Sequence, residues 1–347
     1  MTAHHPDPAR PRRPTIEDVA VAAGVSVATV SRALRDLPNV ALSTRQRVTE
    51  VAARLHYSPD PAASRLAVGR TQTVTVVVPS LSGWYSSAVV AGVEAVCSEA
   101  GYDVLVVGVG NQNDLGRLLG ESYHLERRTD GLVVVDIPIE PEQAASISSR
   151  GVAITTIGYP TPGHSSIRID NTHVGRIAAA HLVERGHRRL GLITAMTNGP
   201  LKFSAPRLRH TGFVDELTRL GVPFDDELVE PGNFDIEGGQ EAMATLLDRA
   251  DPPTGVFSMS DEMAFGALME VNRRGLTAGI DVAIVGVDDH EFSQVVSLTT
   301  IRQPVADHGA AASRLLLAAM SPATKKPKDE SPSEVVEPVR LIVRSTT

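Results

Sequence analysis

Sulfur and aromatic rings are scarce in this 347-residue chain, which has one cysteine, one tryptophan and only 4% aromatic residues in all. A single thiol excludes a disulfide framework within the chain and a cysteine metal site. Cys97 falls in the apolar helical stretch Val89–Ala100, where a small buried hydrophobe is the expected role. No apolar run approaches the roughly 20 residues that a membrane span needs. Met1–Pro14 holds three Arg and four Pro but no apolar segment, so no secretory signal is expected there. No leucine heptad follows the last apolar segment, which leaves no tetramerising coiled coil. A nucleophile–base pair and a phosphate loop are missing as well. Gly108-Val109-Gly110 lacks the third glycine of a dinucleotide fingerprint. Asp289-His290-Glu291 are three adjacent residues of one loop, which rarely converge on a metal. These absences predict a cytoplasmic protein with no metal and no cofactor, and not an enzyme.

What is present is the composition of a folded protein, 42% hydrophobic and 21% charged, long enough for more than one core. Its charge is unevenly distributed. Residues 1–70 carry ten Lys and Arg against six Asp and Glu, a net +4, while the remainder carries 23 against 35, a net −12. A basic head on an acidic body suggests that only the head meets a polyanion.

The head is expected at 15–58, after a disordered tail at 1–14. From Thr15 to Leu34 the pattern is two short helices and a tight turn. Thr15 and Asp18 are spaced as a capping box, Gly24 suits a left-handed helix end, and Ser26 suits a second cap. Val30 and Leu34 face inward, which leaves Val27, Ala28, Thr29, Ser31 and Arg32 outward. Guanidinium, methyl and hydroxyl groups on one short helix suit a DNA major groove, where Arg pairs with guanine and hydroxyls meet phosphates. An ordinary helical hairpin is the alternative reading of the same pattern. A third helix is expected to start at Ser43, boxed by Gln46, and to run to about His56 on Val48, Val51, Ala52 and Leu55. A hinge helix and linker are placed at 59–73. Its two prolines suit a first helical turn, but about two isolated turns need a surface to fold on, and a plain linker is the alternative.

From Val74 apolar strands alternate with amphipathic helices. Strands are predicted near Val74–Pro79, Val104–Val109, Gly131–Asp136, Ala153–Gly158, Ser166–Asp170, Arg189–Thr194, Gly255–Ser260 and Val282–Asp288, and a last one at Val335–Val343. Helices fall between them, at Ser86–Ala100, Thr172–Arg185, Arg207–Leu220, Glu237–Arg249 and Asp261–Arg274. Continuous apolar strands with intervening helices indicate parallel, doubly wound sheets. There are enough for two lobes, the first at about 74–171 and 305–330, the second at about 172–304 and 331–347. Ligands of such sheets sit beyond the carboxyl ends of the strands, which here means a cleft between lobes. Trp84 and Tyr85, just after the first strand, fall at its mouth. Asp170-Asn171 and Asp261 are expected to cap helices, and Ser321–Ser333 to form a surface loop.

The phrases "TIEDVAVAAGVSVATVSRAL", "TRQRVTEVAARLHYSPDPAASRLA", "SDEMAFGAL", "VGVDDHE" and "LTTIRQP" occur in this order along the chain. Together they make it resemble the LacI/GalR family of bacterial transcription regulators over residues 15 to about 343. The resemblance implies a small all-α helix-turn-helix head on an α/β body of two doubly wound lobes, similar to periplasmic sugar-binding proteins. It implies base reading by Val27, Ala28 and Arg32, and phosphate contacts by Thr15, Ser26, Thr29, Ser31, Thr44 and Tyr57. It places Ala63 and Leu66 of the hinge in the minor groove, Leu66 as the wedge. For a small-molecule effector it implies Arg209, Phe234 and Asp288, with Ser260 where Asn is common; Trp84 and Tyr85 complete the candidate set. Arg35, Asp60, Ser64-Arg65 and Gly158 depart from the family's pattern, so neither operator nor ligand is carried over from any one member. The implied protein is a homodimeric regulator of a pseudo-palindromic operator in double-stranded DNA, most often a repressor, controlled by a sugar or sugar derivative and with no membrane partner. A purine-type or phosphoprotein-assisted regulator is the alternative; a transport component or a sugar-acting enzyme is more remote.

Overall fold

The structure, a computed structural model, describes residues 14–58, 70–195, 201, 203–321 and 332–347. The chain divides into two compact units, residues 1–71 and 72–347.

The first unit contains α1 (Ile16–Ala23), α2 (Val27–Leu34) and α3 (Leu42–Arg54). At the start of α1, Asp18 N–H donates to Thr15 Oγ1 at 3.3 Å and Thr15 N–H to Asp18 Oδ2 at 2.8 Å. The box therefore satisfies two otherwise orphaned donors. Gly24 ends α1 at φ 65°, and Ser26 Oγ accepts from Thr29 N–H at 3.1 Å to start α2. The start of α3 differs from the expectation. It begins one residue early, at Leu42, with Ala41 in the cap position and no side-chain cap bond. Ser43 thus lies inside the first turn, where it cannot box with Gln46. The buried core of this unit consists of Val and Ala alone: Val19, Ala20, Ala23, Val30, Ala33, Val48, Val51 and Ala52. Small residues let three short helices cross closely, and they bury little apolar area in doing so.

The second unit holds two six-stranded sheets. The first sheet contains β1 (Thr73–Val78), β2 (Asp103–Gly108), β3 (Gly131–Val135), β4 (Ala153–Ile157), β5 (Ser165–Ile169) and β11 (Glu334–Glu337), in the order β11-β5-β4-β3-β1-β2. The second contains β6 (Leu190–Thr194), β7 (Val229–Pro231), β8 (Gly255–Ser258), β9 (Ala283–Asp288), β10 (Thr299–Arg302) and β12 (Arg340–Ile342), in the order β12-β10-β9-β8-β6-β7. All pairings are parallel except β10 with β12. The helices are α4 (Trp84–Glu99), α5 (Gln112–Leu119), α6 (Pro141–Ser149), α7 (Asn171–Glu184), α8 (Ala205–Arg219), α9 (Ile236–Leu247), α10 (Asp261–Arg273), α11 (Glu291–Val295) and α12 (Val305–Met320). Central strands such as β3 and β9 are buried along their whole length, as sheets covered on both faces require.

The chain passes between lobes three times: after β5, after β10, and between β11 and β12. The last passage corrects the expected boundary. Residues 334–337 pair with β5 in the first lobe, so the predicted single strand Val335–Val343 is two strands in different sheets. Pro338, which has no N–H to donate to a ladder, stands at the break.

Candidate functional site

On α2, Val27, Ala28 and Arg32 are exposed, Val27 at 41%. Arg32 Nη2 donates to the Pro38 carbonyl at 2.8 Å, which tethers the side chain to the loop that follows the helix. Five guanidinium N–H groups leave others for a base edge. Ser26 Oγ and Thr29 Oγ1 are 2.9 Å apart. Ser31 Oγ accepts from Arg35 Nη2 at 2.6 Å, and Arg35 Nε also donates to the Ser31 carbonyl at 3.1 Å. Arg35, a departure from the family pattern, thus fixes the Ser31 hydroxyl oxygen and leaves its proton free to donate. Thr44 is half-buried near the start of α3, and Tyr57 packs against the Val/Ala core. Thr15 is committed to its capping box. Ala63, Leu66, Asp60 and Ser64-Arg65 lie outside the described residues.

In the body, a cavity of about 490 Å³ lies between the lobes. It is lined at the carboxyl ends of strands from both sheets: Pro79 after β1, Asp136 after β3, Gly158 after β4, Ser260 after β8, Asp288 at the end of β9 and Gln303 after β10. Side chains from two sheets meet here because every strand of a parallel sheet delivers its carboxyl end to the same edge.

Arg209, on α8, is 6% exposed. Its Nε donates to Asn171 Oδ1 at 2.8 Å, and its Nη1 to the Met259 carbonyl. Two glycines place it there. A Cβ on Gly212 would stand 1.9 Å from the Thr172 carbonyl oxygen, and one on Gly175 would stand 2.0 Å from that of Arg209 itself. Only glycine lets α7 and α8 touch backbone to backbone at this crossing. Asp288 is buried at φ 121°, where an L side chain is rarely found, and accepts from Gln303 Nε2. Burial raises its carboxyl above the usual range, while Arg209 beside it opposes that shift. The backbone N–H of Asp261, at the start of α10, also opposes that shift, as the positive end of a helix does for a nearby carboxylate. Phe234, on a loop at φ 62°, meets Phe203 edge-on at 6.1 Å. Tyr85 lines the cavity beside Asp136; burial and that carboxylate raise its phenol well above its ordinary pKa.

Five of the six expected cleft residues, Tyr85, Arg209, Phe234, Ser260 and Asp288, therefore line one cavity. Trp84 does not. Its ring lies 4.7 Å from that of His290, and its Nε1 donates to Glu291 Oε2 at 3.1 Å, so it bridges the lobes beside the cavity. Ser260 has a second task, since its Oγ caps α10 by accepting from Met263 N–H at 3.3 Å. That displaces the expected role of Asp261, which is no cap. Asp261 is wholly buried and accepts from His290 N–H, Ser293 Oγ and Thr300 Oγ1 at 2.5–2.9 Å. Burial and the Asp288 charge both push its carboxyl upward. Asp170 does cap α7, accepting from His173 N–H at 3.0 Å, but Asn171 lines the cavity and orients Arg209. Asp289 pairs with Arg344 at 2.7 Å, and no metal-binding group of three His, Cys, Asp or Glu occurs among the described residues.

Sequence reasoning missed Asp136, Gln303 and His308. Asp136 carried the same signal as Asp288, an acid closing an apolar strand. It sits at φ 53°, and a Cβ on Gly158 would stand 1.6 Å from its Oδ1. The carboxylate thus fills the space that glycine leaves at the end of β4. Burial raises its pKa to about 6 against the opposing pull of Tyr85 and Arg209.

A family described as "Bacterial regulatory proteins, lacI family" matches residues 15–60, and "Periplasmic binding protein-like domain" matches residues 179–347. The HTH-type transcriptional repressor CytR of Escherichia coli (strain K12) is 33% identical over 307 residues, covering 87% of this chain and 89% of CytR. This chain belongs to the LacI family. As a LacI-family protein it is a DNA-binding transcription regulator with a helix-turn-helix head and a periplasmic-binding-protein-like body. The HTH-type transcriptional regulator CelR of Thermobifida fusca is 32% identical over 97% of both chains. Among solved structures, the Lac repressor bound to ONPG in the repressed state superposes with a TM-score of 0.82 at 28% identity, covering 97% of this LacI-family chain and all of the other. A CelR–cellobiose complex gives 0.69 at 29%, covering 96% and 100%.

Proposed function

We propose that this regulator is a repressor whose operator affinity is set by a sugar or sugar derivative held in the cleft. The observation that carries the reading is the cavity itself, where Arg209 and Asp288 are buried together and Phe203 and Phe234 add two aromatic rings. A guanidinium and a carboxylate beside apolar rings suit a ring-shaped polyol, with hydroxyls at its edge and C–H groups on its faces. A CelR structure holds cellobiose and a Lac repressor structure holds ONPG, which supports a saccharide over a purine.

Two copies of the chain would place two α2 helices in successive major grooves of a pseudo-palindromic operator, about one helical turn apart. Val27, Ala28 and Arg32 read bases, and Ser26, Thr29, Ser31, Thr44 and Tyr57 meet phosphates, while Thr15, whose N–H and hydroxyl both donate to Asp18, holds the start of α1. Ala63 and Leu66 enter the minor groove between half-sites. Sugar binding and operator binding are then coupled reciprocally, each changing the affinity for the other by one factor. The protein turns over no substrate and works in the cytoplasm; no described helix is long and apolar enough to cross a membrane.

The test is a selection of bound DNA from a random pool, followed by mobility shifts with and without sugars. The expected result is a two-half-site sequence whose affinity responds to at least one sugar. Selection of a single half-site, or an operator affinity that no sugar alters, would contradict the reading.

A further inference from the structure

Besides Arg209 and Asp288 of the second lobe, the first lobe brings His308 and Asp136 to the cavity. His308, on α12, is 1% exposed and lines the cavity. Its Nε2 has no hydrogen-bond partner among the described residues. Burial lowers its pKa to about 4, so the ring is neutral and this nitrogen offers one N–H or one lone pair. Buried polar atoms of native proteins find partners, and His308 is itself a lining residue of the cavity. Asp136 lines the same cavity at positive φ beside the Tyr85 phenol, and its two carboxylate oxygens have more acceptor sites than one phenol can fill.

The charge of the lining narrows the ligand. Four carboxylates line the cavity, Asp136, Asp235, Glu262 and Asp288, against two guanidiniums, Arg168 and Arg209. Arg168 pairs with Glu334 at 2.6 Å, and Arg209 is held by Asn171 and the Met259 carbonyl. A phosphate placed here would face carboxylates from both lobes, with Arg168 paired to Glu334 and part of the Arg209 donor set already used. A neutral hydroxyl can donate to a carboxylate without that repulsion.

We propose that Asp136 and His308 form a first-lobe subsite that takes hydroxyls of an uncharged polyol and disfavours phosphorylated forms of the same molecule. This deepens the cleft reading above and rests on it. Calorimetry on the full chain would use D-glucose, D-galactose, D-ribose and cellobiose, then glucose 6-phosphate, galactose 6-phosphate and ribose 5-phosphate. The expected result is that at least one uncharged sugar binds and that its phosphate binds at least tenfold more weakly. Asp136→Asn and His308→Leu should each weaken that sugar tenfold or more. His308→Gln, whose amide keeps a polar nitrogen near the same place, should recover part of the loss, which a purely packing role would not allow. Binding of no uncharged sugar, a phosphate that binds as tightly as its parent, or unchanged affinity in His308→Leu would overturn the proposal. Undiminished binding in Arg209→Ala would instead place the sugar outside the cleft and overturn the underlying reading.

Discussion

The reading face of α2 and the wall of the cleft recognise their partners by opposite designs. On α2 every candidate contact lies within one eight-residue helix and its cap, the side chains are largely exposed, and no long-range contact is needed to aim them. In the cleft the polar groups come from strand ends and helices far apart in sequence, and Asn171, Arg209, Ser260, Asp288, Gln303 and His308 among them are buried. The contrast teaches where each surface is vulnerable. An exposed contact can be removed with little effect on folding, whereas a buried one leaves partners unsatisfied when it goes.

The largest expected effect therefore belongs to the cleft. Arg209→Ala strips a cation from beside Asp288 and a donor from Asn171, and should weaken sugar binding by about 2–5 kcal/mol, the usual penalty for breaking a buried charged pair. Calorimetry on the full chain reads it, and undiminished sugar binding would place the sugar outside the cleft. Next comes Arg32→Ala, which should weaken operator binding by about 1–3 kcal/mol, the worth of one bidentate base contact, while the melting temperature stays unchanged. Equal loss on specific and random DNA would make Arg32 a phosphate contact instead.

Gly158→Ala would place a Cβ on Asp136 Oδ1 at a backbone φ of 81°. Its expected cost is also about 1–3 kcal/mol of stability, together with weaker sugar binding, while the operator affinity of the sugar-free protein is retained. Thr15→Ala, which removes one half of the capping box, should destabilise the head by about 1 kcal/mol, seen as a lower denaturation midpoint for the head alone.

Acidity separates the two surfaces as well. Asp136, with a pKa of about 6, is ionised above that pH and accepts hydroxyl donors; protonation below it removes an acceptor. Sugar affinity should then fall as pH drops from 7 to 5. Asp136→Asn should keep only the part of that fall due to Asp288, whose carboxyl is also raised. A pH-independent affinity in the wild type would show that neither carboxylate accepts from the ligand.

The same contrast explains what could be read from the sequence. The capping box at Thr15, the left-handed Gly24, the Ser26 cap and the outward face of α2 rest on contacts within three or four residues, and all took the expected form. So did eight of the predicted strands, whose apolar runs are themselves local signals, whereas the short β7 and β10 were not among them and the last strand splits in two. The start of α3 was misjudged because Ser43 and Gln46 have the right spacing without being at the boundary. In the body the failures are nonlocal. No local pattern says that β11 pairs with β5 while β12 turns to β10, or that Trp84 crosses to Glu291 over 207 positions. Asp136 was legible in part, as an acid that closes a strand, but its place in the cleft depends on Gly158 of the neighbouring strand. His308 gave no signal, because a histidine on an apolar helix looks like core until the cavity beside it is seen.

The claim that the head reads DNA while the cleft decides when is tested most directly by one mobility-shift titration. The selected operator would be titrated with wild type, Arg32→Ala and Arg209→Ala, each with and without the sugar that binds the wild type. The account predicts that Arg209→Ala retains operator affinity and loses the response to sugar, while Arg32→Ala loses operator affinity and still binds sugar by calorimetry. Operator affinity lost in Arg209→Ala with its fold intact, or retained in Arg32→Ala, would contradict that division of labour.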